Sequence, residues 1–425
     1  MNTSTQHLAI DVSNLFHLPW TAADNAMTWL EPTRQCNMQC DACFHFNDPK
    51  SVKTIQQIKH EMDIMMSLRK CDAMLIAGGE PLTHPNIVEV TKLVSLYKCK
   101  PIIVTNGLGL DIKLITELKN AGAFGFTFHV DSHQSRAEWK NKSEEELNLL
   151  RQHFTDMCYQ VGGLSCAFNV TVFPDTLHEV HKIVEWAVRN VDKVNILTLI
   201  AVRMMHKDDP WIYFAGGRKV GINETPYIST EQYRNIMAAE IYDEIKKVLP
   251  DYKFNAFLGG TVLPDSTKWV IGTHIASKKE SFGNSSRKTM ELLQNGHHFL
   301  TGKYLAYTKP KLNKNGRAMF LLGFIDKEIR KAARNYLLSI TKYPLKIFSR
   351  VYAQSISIVQ PIDILPNGEA DTCQGCPNKT YWNGRIISAC RLEEYMMYGT
   401  HFTMIPKENS NEKSSAYNNS SAIGS

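Results

Sequence analysis

The sequence predicts an α/β protein whose core is a partial (β/α)6 barrel, an open and curled sheet of six parallel strands with helices outside. One observation and one general rule predict this fold class. Between residues 28 and 200, short apolar runs alternate with longer segments of helical periodicity, as is typical of repeated βα units. Connections between parallel strands are right-handed, which curls such a sheet. We therefore expect the functional loops at the carboxyl ends of the strands.

Each predicted strand is a short apolar run, and each predicted helix has apolar residues at three- and four-residue spacing. The strands are predicted at 28–30, 73–77, 102–105, 124–130, 166–172 and 194–200. The helices are predicted at about 51–69, 84–97, 111–121, 143–161 and 176–190. Ser143 and Asp175 lie at the starts of two of these helices, where their side chains can cap free backbone N–H groups.

The rest of the chain does not continue this alternation of strands and helices. The expected segments are an N-terminal extension (1–27), the barrel core (28–200), an elaborated connection (201–300), a basic amphipathic helical segment (301–352), a C-terminal cysteine-containing extension (353–406) and a disordered tail (407–425). Within the connection we expect a helix at about 229–249. The apolar spacing predicts an amphipathic helix over 318–352, and Pro344 is expected to end or kink it.

Composition and charge narrow the class of protein. The chain has 425 residues, of which 43% are hydrophobic, enough for a large buried core. It shows neither a signal-peptide pattern nor the roughly 18 to 20 consecutive apolar residues of a spanning helix, so we expect a cytoplasmic location. The formal net charge of +6 is unevenly distributed, because residues 303–350 hold twelve Lys and Arg against two acidic residues.

A localised basic stretch indicates an anionic partner at that place. Three interpretations stay open: peripheral contact with an anionic membrane surface, recognition of an anionic substrate, and a cover over the open side of the barrel. Nucleic acid is not expected, because the basic residues lack the interleaved aromatic side chains on which single-stranded bases stack.

Ten cysteines in a chain without a secretory signal favour metal ligation over disulfides where they cluster. The first cluster is Cys36-Asn-Met-Gln-Cys40-Asp-Ala-Cys43, directly after the first predicted strand. Three thiolates at these spacings can hold one face of an iron-sulfur cube and leave its fourth iron free for a small molecule. A zinc site is the alternative, but zinc prefers two close pairs of ligands and closed four-fold coordination.

Further motifs follow the next three predicted strands in order. They are Gly78-Gly79-Glu80-Pro81, Thr105-Asn106-Gly107 and His129-Val130-Asp131-Ser132. Each alone is an ordinary turn sequence. Their order on successive strands, together with the CxxxCxxC spacing, resembles the radical S-adenosylmethionine (SAM) superfamily. That family usually has an aromatic residue before the third cysteine, where this chain has Ala42, with Phe44 after the cysteine.

The resemblance implies a role for each motif. Cys36, Cys40 and Cys43 would ligate a redox-active 4Fe-4S cluster. The residues Gly78, Gly79, Glu80 and Pro81 would bind the amino group of SAM, with Thr105 and Asn106 beside them, and His129, Asp131 and Ser132 would meet its ribose or carboxylate. The open iron would chelate SAM, an electron from the cluster would split its C–S bond, and the 5'-deoxyadenosyl radical would abstract hydrogen from the substrate. A flavodoxin- or ferredoxin-type reductant is the implied electron donor.

The second cluster is Cys373-Gln-Gly-Cys376-Pro, followed after thirteen residues by Cys390. It is similar to the auxiliary-cluster extensions called SPASM or twitch domains, although their usual cysteine count and spacing are not met. The resemblance implies an auxiliary iron-sulfur cluster on these three cysteines. The fourth ligand stays open between another cysteine (Cys71, Cys99, Cys158 or Cys166), a different side chain and the substrate. A structural zinc is the alternative.

Together these features predict a radical SAM oxidoreductase or transferase that abstracts hydrogen from an unactivated C–H position. The basic amphipathic segment favours a lipid or isoprenoid substrate at a membrane surface, and a SPASM-like maturase acting on a ribosomal peptide is the alternative. A hypothesis of another class is a non-catalytic protein in which both cysteine groups hold zinc. That hypothesis gives the segment from Gly78 to Pro81 no purpose.

Overall fold

The computed structural model describes residues 10–205, 209–225 and 234–407. The strands are β1 (Phe16–His17), β2 (Met27–Thr33), β3 (Ala73–Gly78), β4 (Lys100–Thr105), β5 (Gly125–His129), β6 (Ser165–Val172), β7 (Ile196–Ala201), β8 (Trp211–Ala215), β9 (Arg218–Val220), β10 (Ala256–Leu258), β11 (Trp269–Ser277), β12 (Glu280–Asn284), β13 (Tyr352–Val359), β14 (Asp363–Ile364), β15 (Ala370–Asp371), β16 (Lys379–Trp382), β17 (Arg385–Ser388) and β18 (Phe402–Pro406).

The α-helices are α1 (Ile55–Leu68), α2 (Ile87–Leu96), α3 (Ile112–Asn120), α4 (Asn148–Val161), α5 (Val180–Arg189), α6 (Ala238–Val248), α7 (Arg287–Thr301), α8 (Pro310–Asn313), α9 (Lys327–Lys342) and α10 (Leu392–Tyr398). Short 3-10 turns connect several of them, among them Gly316–Phe324 and Pro344–Phe348.

The predicted α/β fold is confirmed. The six predicted strands are β2 to β7, which pair in parallel and in chain order, and the five predicted helices are α1 to α5 between them. Side chains alternate along each strand. One face packs against the helices in a core where the rings of Phe128 and Phe154 stack with centroids 4.7 Å apart. The other face, with Trp29, Val104 and Asn169, lines the inside of the barrel.

The sheet continues beyond the predicted barrel core. Strand β13 pairs in parallel with β7, β11 runs antiparallel to both β13 and β10, and β1 pairs with β10. Strand β1 belongs to the predicted N-terminal extension (1–27), β10 and β11 to the predicted connection (201–300), and β13 lies, except for its first residue, in the predicted cysteine extension (353–406). The boundary at residue 200 therefore does not coincide with an edge of the sheet. The apolar runs of the added strands pair across long stretches of chain, which the local pattern did not indicate.

The sheet ends on β1 and β2, and in the described residues these two strands do not pair with each other. The barrel is therefore open, and segment 372–379 lies across the gap. On one side, the Gln374 backbone N–H donates to the Gly259 carbonyl at 2.9 Å. On the other side, the Asn25 side chain donates to the Gly375 carbonyl at 2.8 Å. The C-terminal cysteine region thus joins the two edges of the sheet.

The amphipathic helix expected over 318–352 is shorter than predicted. It is α9, and the carboxylate of Asp326 caps its start by accepting from the backbone of Glu328 and Ile329. Pro344 begins a separate 3-10 turn after α9 ends at Lys342, as expected from its ring. The helix expected at 229–249 is α6 (Ala238–Val248), and residues 229–233 of that prediction lie outside the described part of the chain.

Candidate active site

The loop with Cys36, Cys40 and Cys43 begins at the carboxyl end of β2, where the sequence placed it. The Asn47 side chain fastens its start, accepting from the Cys36 N–H and donating to the Cys36 carbonyl, each at 3.0 Å. Its middle pairs with the loop after β5, since the Asp41 N–H donates to the His133 carbonyl at 3.0 Å. The structure therefore holds the cysteine loop against a second loop at the same end of the barrel.

All three thiols of this loop are free, with Cys36 and Cys40 half-buried and Cys43 exposed. Burial raises the pKa of Cys36 and of Cys40, and the neighbouring carboxylate of Asp131 raises the pKa of Cys40 further. The charge of Cys43 also raises the pKa of each of these two thiols. A bound metal would offset this resistance to deprotonation, because thiols ligate metals as thiolates.

No three His, Cys, Asp or Glu side chains in the described ranges converge closely enough to hold a single metal ion. An iron-sulfur cube makes a different demand, since it binds three thiolates on three separate irons. Three free and mutually interacting thiols on one loop form a donor set that fits such a cube. Cys36, Cys40 and Cys43 are the residues that would hold it.

The Gly78-Gly79 turn packs directly on the residues that lead into the cysteine loop. Gly78 has a φ of +107°, and a Cβ there would lie 2.2 Å from the Thr33 carbonyl oxygen. A Cβ on Gly79 would lie 2.3 Å from the Gln35 carbonyl oxygen. Only glycine allows this approach, so the two glycines set the position of the cysteine loop relative to β3.

Glu80 is 1% exposed, and both of its carboxylate oxygens accept hydrogen bonds from the protein. Oε1 accepts from the Thr105 hydroxyl at 2.6 Å and from the Leu82 N–H at 3.0 Å. Oε2 accepts from the Asn106 N–H at 2.7 Å. Burial raises the pKa of Glu80 above its ordinary value, although these bonds oppose the rise. In this arrangement Glu80 ties the loop after β3 to the loop after β4.

Asn106 connects three motifs. Its side-chain amide donates to the Asn37 side chain in the cysteine loop at 2.8 Å. Its carbonyl accepts from the Arg136 guanidinium at 2.7 Å. Together with its N–H on Glu80, these bonds place the loops after β2, β3, β4 and β5 on one another.

The residues of the motif after β5 also contact one another. Nε2 of His129 lies 3.0 Å from Oδ2 of Asp131. Burial alone would raise the pKa of Asp131, but the hydrogen bond and charge of His129 outweigh it and hold the pKa below its ordinary value. The Ser132 hydroxyl is buried without a hydrogen-bond partner among the described residues. It lines a polar groove of about 530 Å³ beside Asp41 of the cysteine loop.

Arg136 is a site residue that the sequence analysis missed. It is 7% exposed, and its charge interacts with Cys40, Asp131 and Glu80. Its guanidinium also donates to the His129 carbonyl at 2.9 Å. A lone arginine seven residues after a strand gives no pattern, so only the fold identifies this buried cation at the cysteine loop.

A second unpredicted contact joins the cysteine loop to the C-terminal region. The buried carboxylate of Glu393 pairs with the Arg34 guanidinium and accepts from the Phe46 N–H at 3.1 Å. His45 lies between Glu31 and Glu393, at 3.7 Å and 3.6 Å respectively. Although burial opposes it, these carboxylates raise the pKa of His45. The helix α10 is thus part of the support beneath the cysteine loop.

Cys373 and Cys376 lie in segment 372–379, which spans the gap between β1 and β2, and Cys390 lies in the turn after β17, where its charge interacts with those of the other two thiols. A hydrogen bond from the Cys373 thiol lowers the pKa of Cys376 to about 6. Burial and the charge of Cys376 raise the pKa of Cys390 to about 12. The Arg69 guanidinium donates to the Cys376 carbonyl at 2.8 Å and positions this loop from the barrel side. Because an iron-sulfur cube binds its thiolates on separate irons, these three interacting thiols are candidate ligands of such a cluster.

The four remaining cysteines form two buried pairs. The sulfurs of Cys71 and Cys99 are 3.6 Å apart, and Cys158 interacts with Cys166 in the core between α4 and β6. The sulfur of Cys71 also lies 4.0 Å from that of Met66, and the sulfur of Cys166 lies 4.0 Å from the Thr155 hydroxyl, so these cysteines take part in core packing.

The inside of the barrel contains a cavity of about 330 Å³, within the range of ligand pockets. Its walls are mainly apolar and include Trp29 and Trp269. Asn378, two residues after Cys376, also lines it, and the Asn378 side-chain oxygen has no hydrogen-bond partner among the described residues. Tyr307 is buried in the wall and lies 3.3 Å from the Thr127 hydroxyl.

Residues 30–187 match the family model described as the Radical SAM superfamily. In this stretch, which is less than half of its 425 residues, the chain is similar to radical SAM domains. The match begins within β2 and ends within α5, so it covers the cysteine loop and the three motifs that the structure joins to it. Members of this family are enzymes, and the family implies a 4Fe-4S cluster and SAM as cofactors.

Two curated relatives match shorter stretches. An AdoMet-dependent heme synthase of Methanosarcina barkeri (strain Fusaro / DSM 804) is 28% identical over 114 residues, which is 26% of this chain. An S-adenosylmethionine-dependent nucleotide dehydratase of Selenomonas ruminantium is 34% identical over 87 residues, which is 20% of this chain. In each case the chain spans 32% of the relative's length.

Solved structures resemble parts of the chain. SuiB of Streptococcus suis aligns with a TM-score of 0.37 and 12% identity, covering 54% of this chain and 46% of that one. Native anSMEcpe with bound AdoMet aligns with a TM-score of 0.35 and 12% identity, covering 43% of this chain and 53% of that one. Separately, none of the helices in the described part of the chain combines the length and apolar composition needed to cross a membrane.

Proposed function

We propose that this chain is a radical SAM enzyme that abstracts hydrogen from an unactivated C–H position of an apolar substrate, a lipid or isoprenoid. The observation that carries the proposal is the joining of four loops at the carboxyl ends of β2 to β5. The bonds of Asn106 to Asn37, to Glu80 and to Arg136 bring them into one surface around the three thiols. A structural zinc loop would not require the other three motifs.

A 4Fe-4S cluster on Cys36, Cys40 and Cys43 would supply the electron that cleaves SAM to methionine and a 5'-deoxyadenosyl radical. The chain's own residues would bind SAM and orient it. Asp131 and Arg136 place a carboxylate and a guanidinium next to Cys40, where they would orient the charged groups of SAM. Glu80 holds the loops that surround that position. Buried polar groups that are already paired also limit water near a reactive radical.

The substrate class rests on the barrel cavity. At about 330 Å³ with mainly apolar walls, it suits a narrow hydrocarbon chain better than a peptide, whose backbone N–H and C=O groups need partners when buried. Hydroxyl and amide groups such as Thr198 and Asn169 offer a few polar contacts along the wall.

The C-terminal thiols would hold an auxiliary iron-sulfur cluster. Two observations support this assignment: the three sulfurs interact with one another, and Asn378 of the same segment lines the cavity. A centre there would lie next to a substrate in the barrel, suited to electron transfer or to substrate binding. A structural zinc that fastens the gap between β1 and β2 is the competing assignment.

One experiment tests both metal assignments. Anaerobically reconstituted protein, given dithionite and SAM, is expected to release 5'-deoxyadenosine and methionine, and a variant with Cys36→Ala, Cys40→Ala and Cys43→Ala should not. That variant should retain about four irons on the C-terminal site. Cys166→Ala, which changes a buried cysteine of the core, is the matched control and should cleave SAM normally. SAM cleavage by the triple variant would refute the radical SAM assignment, and one zinc without iron in it would make the C-terminal centre structural.

A further inference from the structure

The most exposed hydrophobic side chains of the described residues are confined to one segment. Every large hydrophobic side chain that is at least 75% exposed lies between residues 299 and 348. We call these six the apolar face: Phe299 (89%), Leu300 (80%), Leu321 (75%), Phe324 (77%), Leu345 (81%) and Phe348 (82%). Single exposed hydrophobic residues are ordinary, but a concentration of them marks an interaction surface.

The two turns that carry four residues of the apolar face are fixed to one another and to α9, and the start of α7, which carries the other two, is joined to the start of α9 because the Asp326 carboxylate accepts from the Ser286 N–H at 2.9 Å. The Arg317 guanidinium donates to the carbonyls of Ile347 and Ser349, which fastens turn Pro344–Phe348 to turn Gly316–Phe324. Nε of Arg330 in α9 donates to the Gly323 carbonyl at 2.7 Å, next to Phe324. The side chains are therefore presented by a packed surface.

Basic residues are interspersed in the sequence with the same side chains. Of the twelve Lys and Arg between residues 303 and 350, only Lys331 and Lys346 pair with a carboxylate among the described residues. Lys309, Lys311 and Lys342 are exposed. Apolar side chains among basic residues are complementary to an anionic bilayer. The apolar side chains can insert into the bilayer, and its anionic headgroups attract the basic residues.

The barrel cavity opens on this surface. Its lining includes Leu293, which is 39% exposed, and Leu312, which is 61% exposed. Leu293 and Leu300 are seven residues apart on α7 and so share one helical face. Met319 and Leu322, from the turn that also carries Leu321, line the cavity as well. The opening therefore lies beside the apolar face.

From these juxtapositions we infer that the apolar face docks on an anionic lipid bilayer, and that a lipid chain passes from that bilayer into the barrel between Leu293 and Leu312. The inference rests on the proposed function for what happens to the chain inside. A second copy of this protein is a poorer occupant, because two such faces would bring like charges together. Peripheral docking also requires no spanning helix.

Vesicle co-sedimentation of the full-length protein tests the docking. We expect binding to vesicles of phosphatidylcholine and phosphatidylglycerol and little binding to phosphatidylcholine alone. Phe324→Ser with Phe348→Ser should weaken binding at least about a hundredfold, from the apolar area that stays in water. Lys309→Gln, Lys311→Gln and Lys342→Gln together should also weaken it about a hundredfold. The matched control is Leu96→Ser with Leu149→Ser, which are 69% and 70% exposed elsewhere and should change nothing.

Fluorescence tests the entry route, because Trp20, Trp29 and Trp269 line the cavity. Phosphatidylglycerol with brominated acyl chains should quench the tryptophan emission, and Trp29→Phe with Trp269→Phe should remove most of the effect. Leu312→Lys puts a charge in the opening without lowering the positive charge of the surface. This variant should keep vesicle binding and lose the quenching.

Three outcomes would overturn the inference: absence of binding to anionic vesicles, unchanged binding by the Phe324→Ser and Phe348→Ser variant, or a dimer in solution that this variant dissociates. Quenching that persists in Leu312→Lys would overturn the entry route. Release of 5'-deoxyadenosine without substrate is measured in parallel. If the wild-type protein binds vesicles but releases no 5'-deoxyadenosine, the proposed chemistry is refuted and the docking surface is not.

Discussion

Replacing Glu80 with Ala is the sharpest single test of how the four loops and SAM depend on each other. By its family resemblance the residue should contact the amino group of SAM, yet its carboxylate also accepts from Thr105, Leu82 and Asn106. The substitution therefore removes a ligand contact and leaves three protein donors without their partner.

The two effects have different sizes and different readouts. Losing a charge-assisted hydrogen bond to SAM should weaken its binding about tenfold to a hundredfold, equivalent to roughly 1.5 to 3 kcal/mol. The unpaired donors, at about 1 to 3 kcal/mol each and less where water enters, should lower the free energy of unfolding by about 3 to 5 kcal/mol. Glu80→Gln should cost less stability, since its one carbonyl oxygen can still accept from Thr105 and Leu82.

The assay is equilibrium binding of SAM to reconstituted protein, with iron content and denaturant unfolding measured on the same sample. Thr54→Ala, which removes the capping hydroxyl of α1 (its acceptor contact with the Gln57 N–H is 3.2 Å), is the matched control. It should cost about 1 kcal/mol of stability and leave SAM affinity unchanged. Unaltered SAM affinity in Glu80→Ala with normal iron content would refute the role assigned to this carboxylate.

Two further predictions concern the C-terminal region. Gly375→Ala should destabilise the protein by several kcal/mol and lower the metal content of the C-terminal site, because φ is +62° and the new Cβ would lie 2.0 Å from the Trp20 carbonyl oxygen. The control is Gly384→Ala, where φ is +80° and no atom lies within 4 Å of the new Cβ. Equal losses of melting temperature in the two variants would contradict the packing argument. Glu394 should contribute to acid sensitivity: burial raises its pKa, but hydrogen bonds from His401 and Arg391 outweigh burial and hold the pKa below its ordinary value. Its stabilisation is therefore present above about pH 4.5 and lost as the pH falls through the depressed pKa, so Glu394→Gln should be less stable at pH 7 and lose less on acidification, and a parallel fall in both proteins would argue against it.

The sequence predicted what depends on local pattern. Strands β2 to β7 are apolar runs between amphipathic helices, and their carboxyl ends are where the motifs lie, so both the barrel and the cysteine loop followed from spacing alone. Pro344 ended its helix for the steric reason expected. The turn at Gly78-Gly79 was predicted too, and the structure adds which carbonyls it packs against.

What the sequence did not predict depends on partners far along the chain. Strand β11 holds Gly272, where a Cβ would lie 2.3 Å from the Tyr252 hydroxyl, and its pairing with β13 cannot be inferred from either segment alone. Lys268 is fully buried and paired with Asp363 and Asp371, which a charge pattern would have placed on the surface. Arg136 and Glu393 were missed for the same reason, because nothing near them in sequence identifies their partners.

The position of β13 has a consequence for how the chain folds during synthesis. This strand lies between β7 and β11 in the sheet, yet it is made last of the three, after residues 202–351. Until it emerges from the ribosome, β7 presents an unpaired edge, and such edges recruit other strands and promote aggregation. The long sequence separation of this pairing also predicts slow final assembly. The nascent protein should thus depend on chaperones until β13 has emerged from the ribosome, whereas a version truncated before residue 352 should aggregate.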